Sequence, residues 1–329
     1  MTADRSALEG SSTSPRRRSP SSSRSGPASS TSRSPGNPAA DGSLGAGAIR
    51  DLAARHGVEP NKSLGQHFLI DPNLARAIVA DAGVGDRDRV VEIGAGLGSL
   101  TVALAAAGAE VLAVEIDRGL VRALGEVTAG LPWVRVLHAD AMRLDWAAEL
   151  DASGRRRADG GSRSSWTLCA NLPYNIAVPL VLDTLADVSA IDRWVVMVQR
   201  EVGERLVAEP GHQQFGAVSL RVAYAASGTI VRRVPASVFW PRPTVESVVV
   251  RLDRRTTPAV EVDEPSLWRV VDTAFAQRRK TMRNALRRLG LGAADADVLL
   301  ADAGVASNAR PEELDLAAFA EVAERVGAA

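Results

Sequence analysis

Arg89-Val90-Val91-Glu92-Ile93-Gly94-Ala95-Gly96-Leu97-Gly98 passes within ten residues from an apolar run to a cluster of glycines. The first five residues have the length and β-branched content of a buried strand. The glycines let the backbone approach a ligand more closely than a Cβ would allow. A helical pattern begins near Ser99 and stops at Gly108. Strand, glycine turn and helix in that order present a helix N-terminus to a ligand. A dinucleotide fingerprint needs its third glycine one position later, where Ser99 stands, so the match to a nicotinamide site is imperfect.

The same unit recurs outward from this stretch. Residues 110–116 read as a second strand, with Glu115 and Asp117 at its carboxyl end. An acid about 20 residues beyond such glycines can accept both hydroxyls of a ribose. Asp117 also reads as the N-cap of the following helix. Residues 134–137 form a third strand, and Asp140 after it is placed to hydrogen-bond an adenine amino group. Further strands are expected at 166–170, 194–198, 231–234 and 247–252. Strands alternating with helices predict an α/β fold with an open, mostly parallel sheet and a ligand crevice outside the strands' carboxyl ends. Gly94, Glu115 and Asp140 at three successive strand ends specify a nucleoside site better than any one of them does.

The fourth strand runs into Asn171-Leu172-Pro173-Tyr174. Asn171 offers an amide oxygen as acceptor. Leu172 precedes Pro173 and is biased to an extended form, so its carbonyl can leave the strand ladder. Tyr174 offers a flat face for stacking. Two acceptors beside an aromatic plate suit the exocyclic amino group of a planar base. The N6 lone pair of adenine is delocalised into its ring. Acceptors gripping both N6 hydrogens favour a pyramidal nitrogen and free that pair. The carbon it attacks must then be an activated methyl, such as that of S-adenosylmethionine (SAM). No strong base is required, because the alkylated nitrogen becomes acidic. A plain strand-to-turn junction uses the same residue types, so the tetrapeptide acquires meaning only from its place in the sheet.

Composition sets the remaining bounds. The chain has 329 residues, of which 46% are hydrophobic, enough for a main domain and a smaller one. The single cysteine, Cys169, excludes a disulfide within the chain and a cysteine-built zinc site. No metal is expected, and no apolar run approaches a membrane span. A reducing, cytoplasmic setting and a monomer are expected. Residues 1–47 are rich in Ser, Pro, Gly and Arg and are expected to be a disordered leader. Residues 48–253 are expected to hold the sheet, with a polar surface insertion at 151–165 containing Arg155-Arg156-Arg157. Phe239-Trp240, set among prolines, is expected to pack into the core. Residues 254–329 are expected to be a small all-helical domain. There Phe275 to Leu289 reads as one amphipathic helix, with Phe275, Met282, Leu286 and Leu289 on one face. Six cations with no acid among them crowd its other faces, and Arg278, Arg279, Lys280 and Arg283 are expected to contact phosphates.

These motifs together resemble the small-subunit ribosomal RNA adenine N6,N6-dimethyltransferases, from Lys62 to the C-terminal region. The likeness is carried by Leu64-Gly65-Gln66-His67-Phe68-Leu69, the 92–98 and 114–117 stretches, Asn171 to Ile176, Val198 to Val202, and Phe275 to Thr281. It implies a Rossmann-like SAM-dependent methyltransferase sheet with a helical C-terminal domain. It implies dimethylation of two adjacent adenosines in a hairpin near the 3′ end of small-subunit rRNA, within an immature 30S particle. Carried over by position, it implies SAM held by His67, Leu69, Gly94, Glu115, Asp140 and Asn171, with Asn171, Leu172, Pro173 and Tyr174 at the reacting base. The family usually has Asn where His67 stands, and more often Gly-Pro-Gly where Gly94-Ala95-Gly96 stands. Two alternatives stay open at this point. One is the related large-subunit rRNA dimethyltransferases of macrolide resistance, which usually carry Ile in place of Leu172. The other is a non-catalytic assembly factor.

Overall fold

The computed structural model describes residues 43–60, 65–152 and 165–328. Readings that fall on residues 1–42, on Lys62-Ser63-Leu64 or on the arginines at 155–157 lie outside the described residues. In chain order the elements are α1 (Ala46–His56), β1 (Phe68–Leu69), α2 (Pro72–Ala82), β2 (Arg89–Ile93), α3 (Ser99–Ala106), β3 (Glu110–Glu115), α4 (Arg118–Thr128) and β4 (Val134–His138). They continue with α5 (Trp146–Ala152), β5 (Trp166–Asn171), α6 (Ala177–Asp187), β6 (Ile191–Gln199), α7 (Arg200–Leu206), α8 (Ala217–Ala225) and β7 (Ala226–Val234). Last come β8 (Phe239–Trp240), β9 (Ser247–Arg254), α9 (Glu264–Phe275), α10 (Met282–Arg288), α11 (Ala293–Asp302) and α12 (Leu316–Ala328).

Local signals set several boundaries. The Asp71 carboxylate accepts from the amides of Asn73 and Leu74, Pro72 opens α2, and Gly83 closes it in the left-handed region at φ 65°. Asp117 caps α4 in the same way, through Gly119 and Leu120.

The main sheet has seven strands in the order β4-β3-β2-β5-β6-β9-β7. β2 pairs parallel with both β3 and β5, so the chain winds away in opposite directions on either side of the β2/β5 seam. A ligand crevice is expected at such a switch point. β9 and β7 are antiparallel additions. The central strands are buried on both faces. Trp194, Val196 and Val198 enter one apolar core with Leu168 and Ala170, while Val195, Met197 and Cys169 enter the other. That double burial explains why these strands read as continuous apolar runs.

Three sequence readings need correction. Phe275 to Leu289 is not one helix: α9 ends at Phe275, turns occupy 276–281, and α10 starts at Met282. The amide of Met282 donates to the Ala309 carbonyl at 2.8 Å, a long-range bond that replaces a helical one. The break also separates the consecutive cations Arg278-Arg279-Lys280 from the regular helix. The leader does not run to residue 47. Leu44 is buried with Ile49, Leu52, Phe68 and Leu120, and α1 begins at Ala46. Its Gly- and Ala-rich surroundings hide one leucine whose partners come from distant residues. Finally, β7 begins at Ala226 rather than at 231, because pairing with β9 holds a Ser-Gly-Thr segment with little strand preference.

Residues 239–240 pack as expected. Phe239 is buried, and β8 pairs antiparallel with β1, Phe68 opposite Trp240 and Leu69 opposite Phe239. Beyond β9, a separate apolar core forms around Leu267, Val271, Met282, Leu286, Leu300 and Phe319. Phe215 and Leu220, from the segment before and within α8, belong to this core too.

Candidate active site

The turn after β2 is held open by its glycines. Gly94, Gly96 and Gly98 have φ of 71°, 58° and 87°, which side-chain-bearing residues rarely adopt. A Cβ on Gly98 would lie 2.9 Å from Leu124, so α4 packs directly against this turn. The cradle is tied to Glu115 at the end of β3. Glu115 Oε2 accepts from the Gly96 amide at 2.9 Å, and Oε1 from the amides of Ile116 and Asp117 at 2.9 and 3.0 Å. Burial raises the Glu115 pKa, while these three amides oppose the rise. Asp140 follows β4, accepts from the Met142 amide at 3.0 Å, and lies 3.6 Å from the Arg143 guanidinium. Leu69 is fixed through its carbonyl, which accepts from the Ser99 hydroxyl at 2.5 Å.

Across the β2/β5 seam stands the segment after β5. Asn171 donates its side-chain amide to the His67 carbonyl at 3.0 Å, which leaves its oxygen as the acceptor. Leu172 is buried and its amide bonds the Met197 carbonyl, while Pro173 packs over Gly94. Tyr174 is partly buried, its hydroxyl 3.3 Å from Ser247 Oγ, and burial raises its pKa. The His67 imidazole lies between this ring and the β8–β9 loop. Its Nδ1 is 2.7 Å from the Pro241 carbonyl, and its ring centroid is 5.4 Å from that of Tyr174. The ring is thereby tied to the loop, while His67 also lines the cavity.

His67, Leu69, Gly94, Glu115, Asp140, Asn171, Leu172, Pro173 and Tyr174 all line one cavity of about 290 Å³. Residues separated by more than a hundred positions thus meet at the carboxyl ends of β2, β3, β4 and β5. Among the lining residues that the sequence reading did not single out, three bear on the chemistry. Ile116 and Met142 line the cavity yet are 57% and 38% exposed, apolar surfaces suited to the faces of a planar ring. Glu92 lines it from within β2, is buried, and accepts from the Thr101 hydroxyl at 2.6 Å. Burial pushes its pKa up to about 8. A lone apolar residue after an acid, or a single Glu inside a strand, carries no signal of this kind.

The cavity fits SAM by its own features. The positive-φ glycines leave room for the amino-acid moiety, Glu115 and Asp140 offer acceptors to the ribose and the base, and Ile116 and Met142 offer apolar faces. The cationic residues of the helical region divide. Arg278 pairs with Glu312 at 3.1 Å and Arg283 with Asp297 at 2.8 Å. Arg279, Lys280, Arg287 and Arg288 are exposed and have no ion pair among the described residues. The absence of acids was thus a property of the local sequence, and the fold supplies two from α11 and the turn before α12.

Residues 57–327 match the family model described as ribosomal RNA adenine dimethylase. A relative from Acidothermus cellulolyticus, named ribosomal RNA small subunit methyltransferase A, is 42% identical over 286 residues, covering 85% of this chain and 94% of its own. A dimethyladenosine transferase structure from Plasmodium falciparum superposes with a TM-score of 0.63 at 23% identity, covering 78% of this chain and 96% of that one. The 23S rRNA methyltransferase ErmE superposes with a TM-score of 0.58 at 22% identity, covering 79% of this chain and 99% of that one. The two structures share the fold of this chain.

Proposed function

The chain belongs to the ribosomal RNA adenine dimethylase family, and from that premise we propose how its cavity works. The enzyme transfers methyl groups to N6 of two adjacent adenosines near the 3′ end of small-subunit (16S) rRNA, giving N6,N6-dimethyladenosine. The family is SAM-dependent. In this chain Gly94, Glu115 and Asp140 hold the cofactor, aided by the backbone at His67 and Leu69 and by Asn171. When bound, SAM supplies an electrophilic methyl group. The observation that carries the reading is the meeting of these cofactor groups with Asn171 and Tyr174 in one cavity.

A base inside a duplex cannot reach such a cavity, so the target adenosine leaves its stack. Tyr174 stacks on it. Asn171 Oδ1 and the Leu172 carbonyl accept from N6 and turn its lone pair toward the methyl group. Tyr174 stays protonated and acts as a platform; the proton lost from alkylated N6 needs no dedicated base. After the first transfer one N–H remains, and one acceptor gives way to a methyl. The second transfer is therefore the more sensitive to the shape of the pocket.

Residues 48–253 serve as the methyltransferase domain and 254–329 as a helical RNA-contacting domain; the separate core around Phe319 supports a second unit, into which Phe215 and Leu220 of the first segment also pack. The substrate is rRNA within an immature 30S particle in the cytoplasm, and the enzyme acts as a monomer. No helix among the described residues is long and apolar enough to cross a membrane.

Incubating the protein and SAM with immature small subunits, then digesting the rRNA for mass spectrometry, should yield dimethyladenosine. Asn171→Ala should suppress both transfers. Tyr174→Ala should bind SAM and lose turnover on RNA, since stacking is worth ~1–3 kcal/mol per base. Full dimethylation at wild-type rate by Asn171→Ala would falsify the assignment. Methyl transfer to large subunits instead would favour the macrolide-resistance alternative.

A further inference from the structure

The loop between β8 and β9, residues 241–246, is tethered at both ends to the rings that flank the proposed target pocket. At its start the Pro241 carbonyl lies 2.7 Å from His67 Nδ1. At its end Ser247 Oγ lies 3.3 Å from the Tyr174 hydroxyl. The β1–β8 pairing, with Ile70 N donating to Val238 O at 2.9 Å, ties the preceding segment to the same cavity wall. This loop is therefore part of the rim beside the reacting base.

Its composition is unusual for a rim. Pro241 and Pro243 flank Arg242, and Pro243 is buried. Proline fixes its own φ and restricts the residue before it to extended backbone, so the Arg242 Cα is held rigidly. Arg242 is exposed and has no ion pair among the described residues. The loop's one acid, Glu246, is 3.3 Å from Arg200, which also lies 3.7 Å from Glu204. The acid is thereby engaged outside the loop, and Arg242 is left without an acidic partner. A guanidinium carried on a fixed Cα, with no ion pair to give up, matches the bidentate geometry of a phosphate. Contacts of that kind set register on a nucleic acid without reading its bases.

We propose that Arg242 grips a backbone phosphate next to the extruded adenosine and so sets which nucleotide enters the cavity. It is a positioning residue for the reaction, distinct from the unpaired cations of the helical region, and the inference rests on the rRNA dimethyltransferase reading. Two adjacent adenosines must be presented in turn to one pocket. A fixed phosphate contact beside that pocket distinguishes the two registers by one nucleotide step.

The test compares wild type, Arg242→Gln, Arg242→Lys and Arg87→Gln on immature small subunits. Arg87 lies in the turn before β2, at the opposite end of the strands, and serves as the control for net charge. Arg242→Gln should raise KM for the particle roughly tenfold, the scale of one charge-assisted hydrogen bond. It should lower the slope of log affinity against log salt by about 0.7–0.9 and leave SAM affinity unchanged. It should also alter the ratio of products at the two adenosines, which removal of a remote charge does not. Arg242→Lys should restore the salt slope and only part of the product ratio. Equal KM and equal product ratio for wild type and Arg242→Gln would overturn the proposal, as would the same changes in Arg87→Gln. Failure of the wild type itself to methylate the particle would overturn the functional reading and this inference with it.

Discussion

Glu92 is a buried carboxyl group with one hydroxyl donor, Thr101, at 2.6 Å. Folded, it keeps its proton to about pH 8, against an ordinary value of 4.5. Between those two values the unfolded chain has released this proton and the folded chain has not. The unfolded state therefore binds fewer protons, and stability falls as pH rises through the window. The contribution is fully present below 4.5 and is lost as pH passes about 8. Glu92→Gln, which is neutral at every pH, should remove this decline. Urea midpoints should fall less from pH 5 to pH 9 in the variant than in wild type, and parallel curves would refute the assignment. Burial raises the pKa of Glu115 as well, but there three backbone amides oppose the rise. Its oxygens also shape the glycine turn, so its loss would disturb more than a ribose contact. Sequence spacing pointed to Glu115 and not to Glu92, since only the former sits at a strand end.

The break between α9 and α10 is the element that most changes the expected RNA surface. It places Arg279 and Lys280 on a turn, while Arg278 and Arg283 fold back onto Glu312 and Asp297. A paired guanidinium must give up its partner before it can take a phosphate, and exposed pairs of this kind are worth little but are not free to break. We therefore expect Arg279 and Lys280 to contribute more to RNA binding than Arg278 and Arg283. Neutralising Arg279 and Lys280 together should weaken RNA binding and flatten its salt dependence by about 1.4–1.8 in slope. Neutralising Arg278 and Arg283 should change the slope less and lower thermal stability instead. Titration of RNA binding at several salt concentrations distinguishes the pairs; equal slopes for both would return the four residues to a single role. SAM affinity should stay constant throughout.

At the scale of the molecule, the helical region is joined to the segment before α8 through aromatic packing. Phe319 of α12 is buried against Phe275, ring centroids 5.9 Å apart, and Phe275 meets Phe215 at 6.1 Å. Truncating a fully buried phenylalanine costs about 3–5 kcal/mol. Phe319→Ala should lower the melting temperature and loosen the region that carries the basic turn, while the cavity at the strand ends lies in other cores. Below its melting transition the variant should bind SAM normally by calorimetry and bind RNA poorly. A matching loss of SAM affinity would mean that the two regions are energetically one.

The sequence by itself determined the class of fold, the order of the main sheet's strands along the chain and the polar residues that mark the cavity. Gly94, Glu115, Asp140 and Asn171 were legible because each sits where a short apolar run meets a polar residue. That punctuation is local, dictated by the need to bury a strand and to expose its end. The caps of α2 were legible for the same reason: Asp71, Pro72 and Gly83 act on their own backbone. Tertiary structure alone decided the pairing of β1 with β8, the tether from His67 to Pro241, the burial of Leu44 and the partners of Arg278 and Arg283. In each case the deciding group lies outside the local stretch, as far as 174 residues away for His67 and Pro241. A two-residue strand, a free carbonyl or a lone acid has no periodicity to betray it, and its energy exists only once the chain has brought its partner within hydrogen-bonding or van der Waals range.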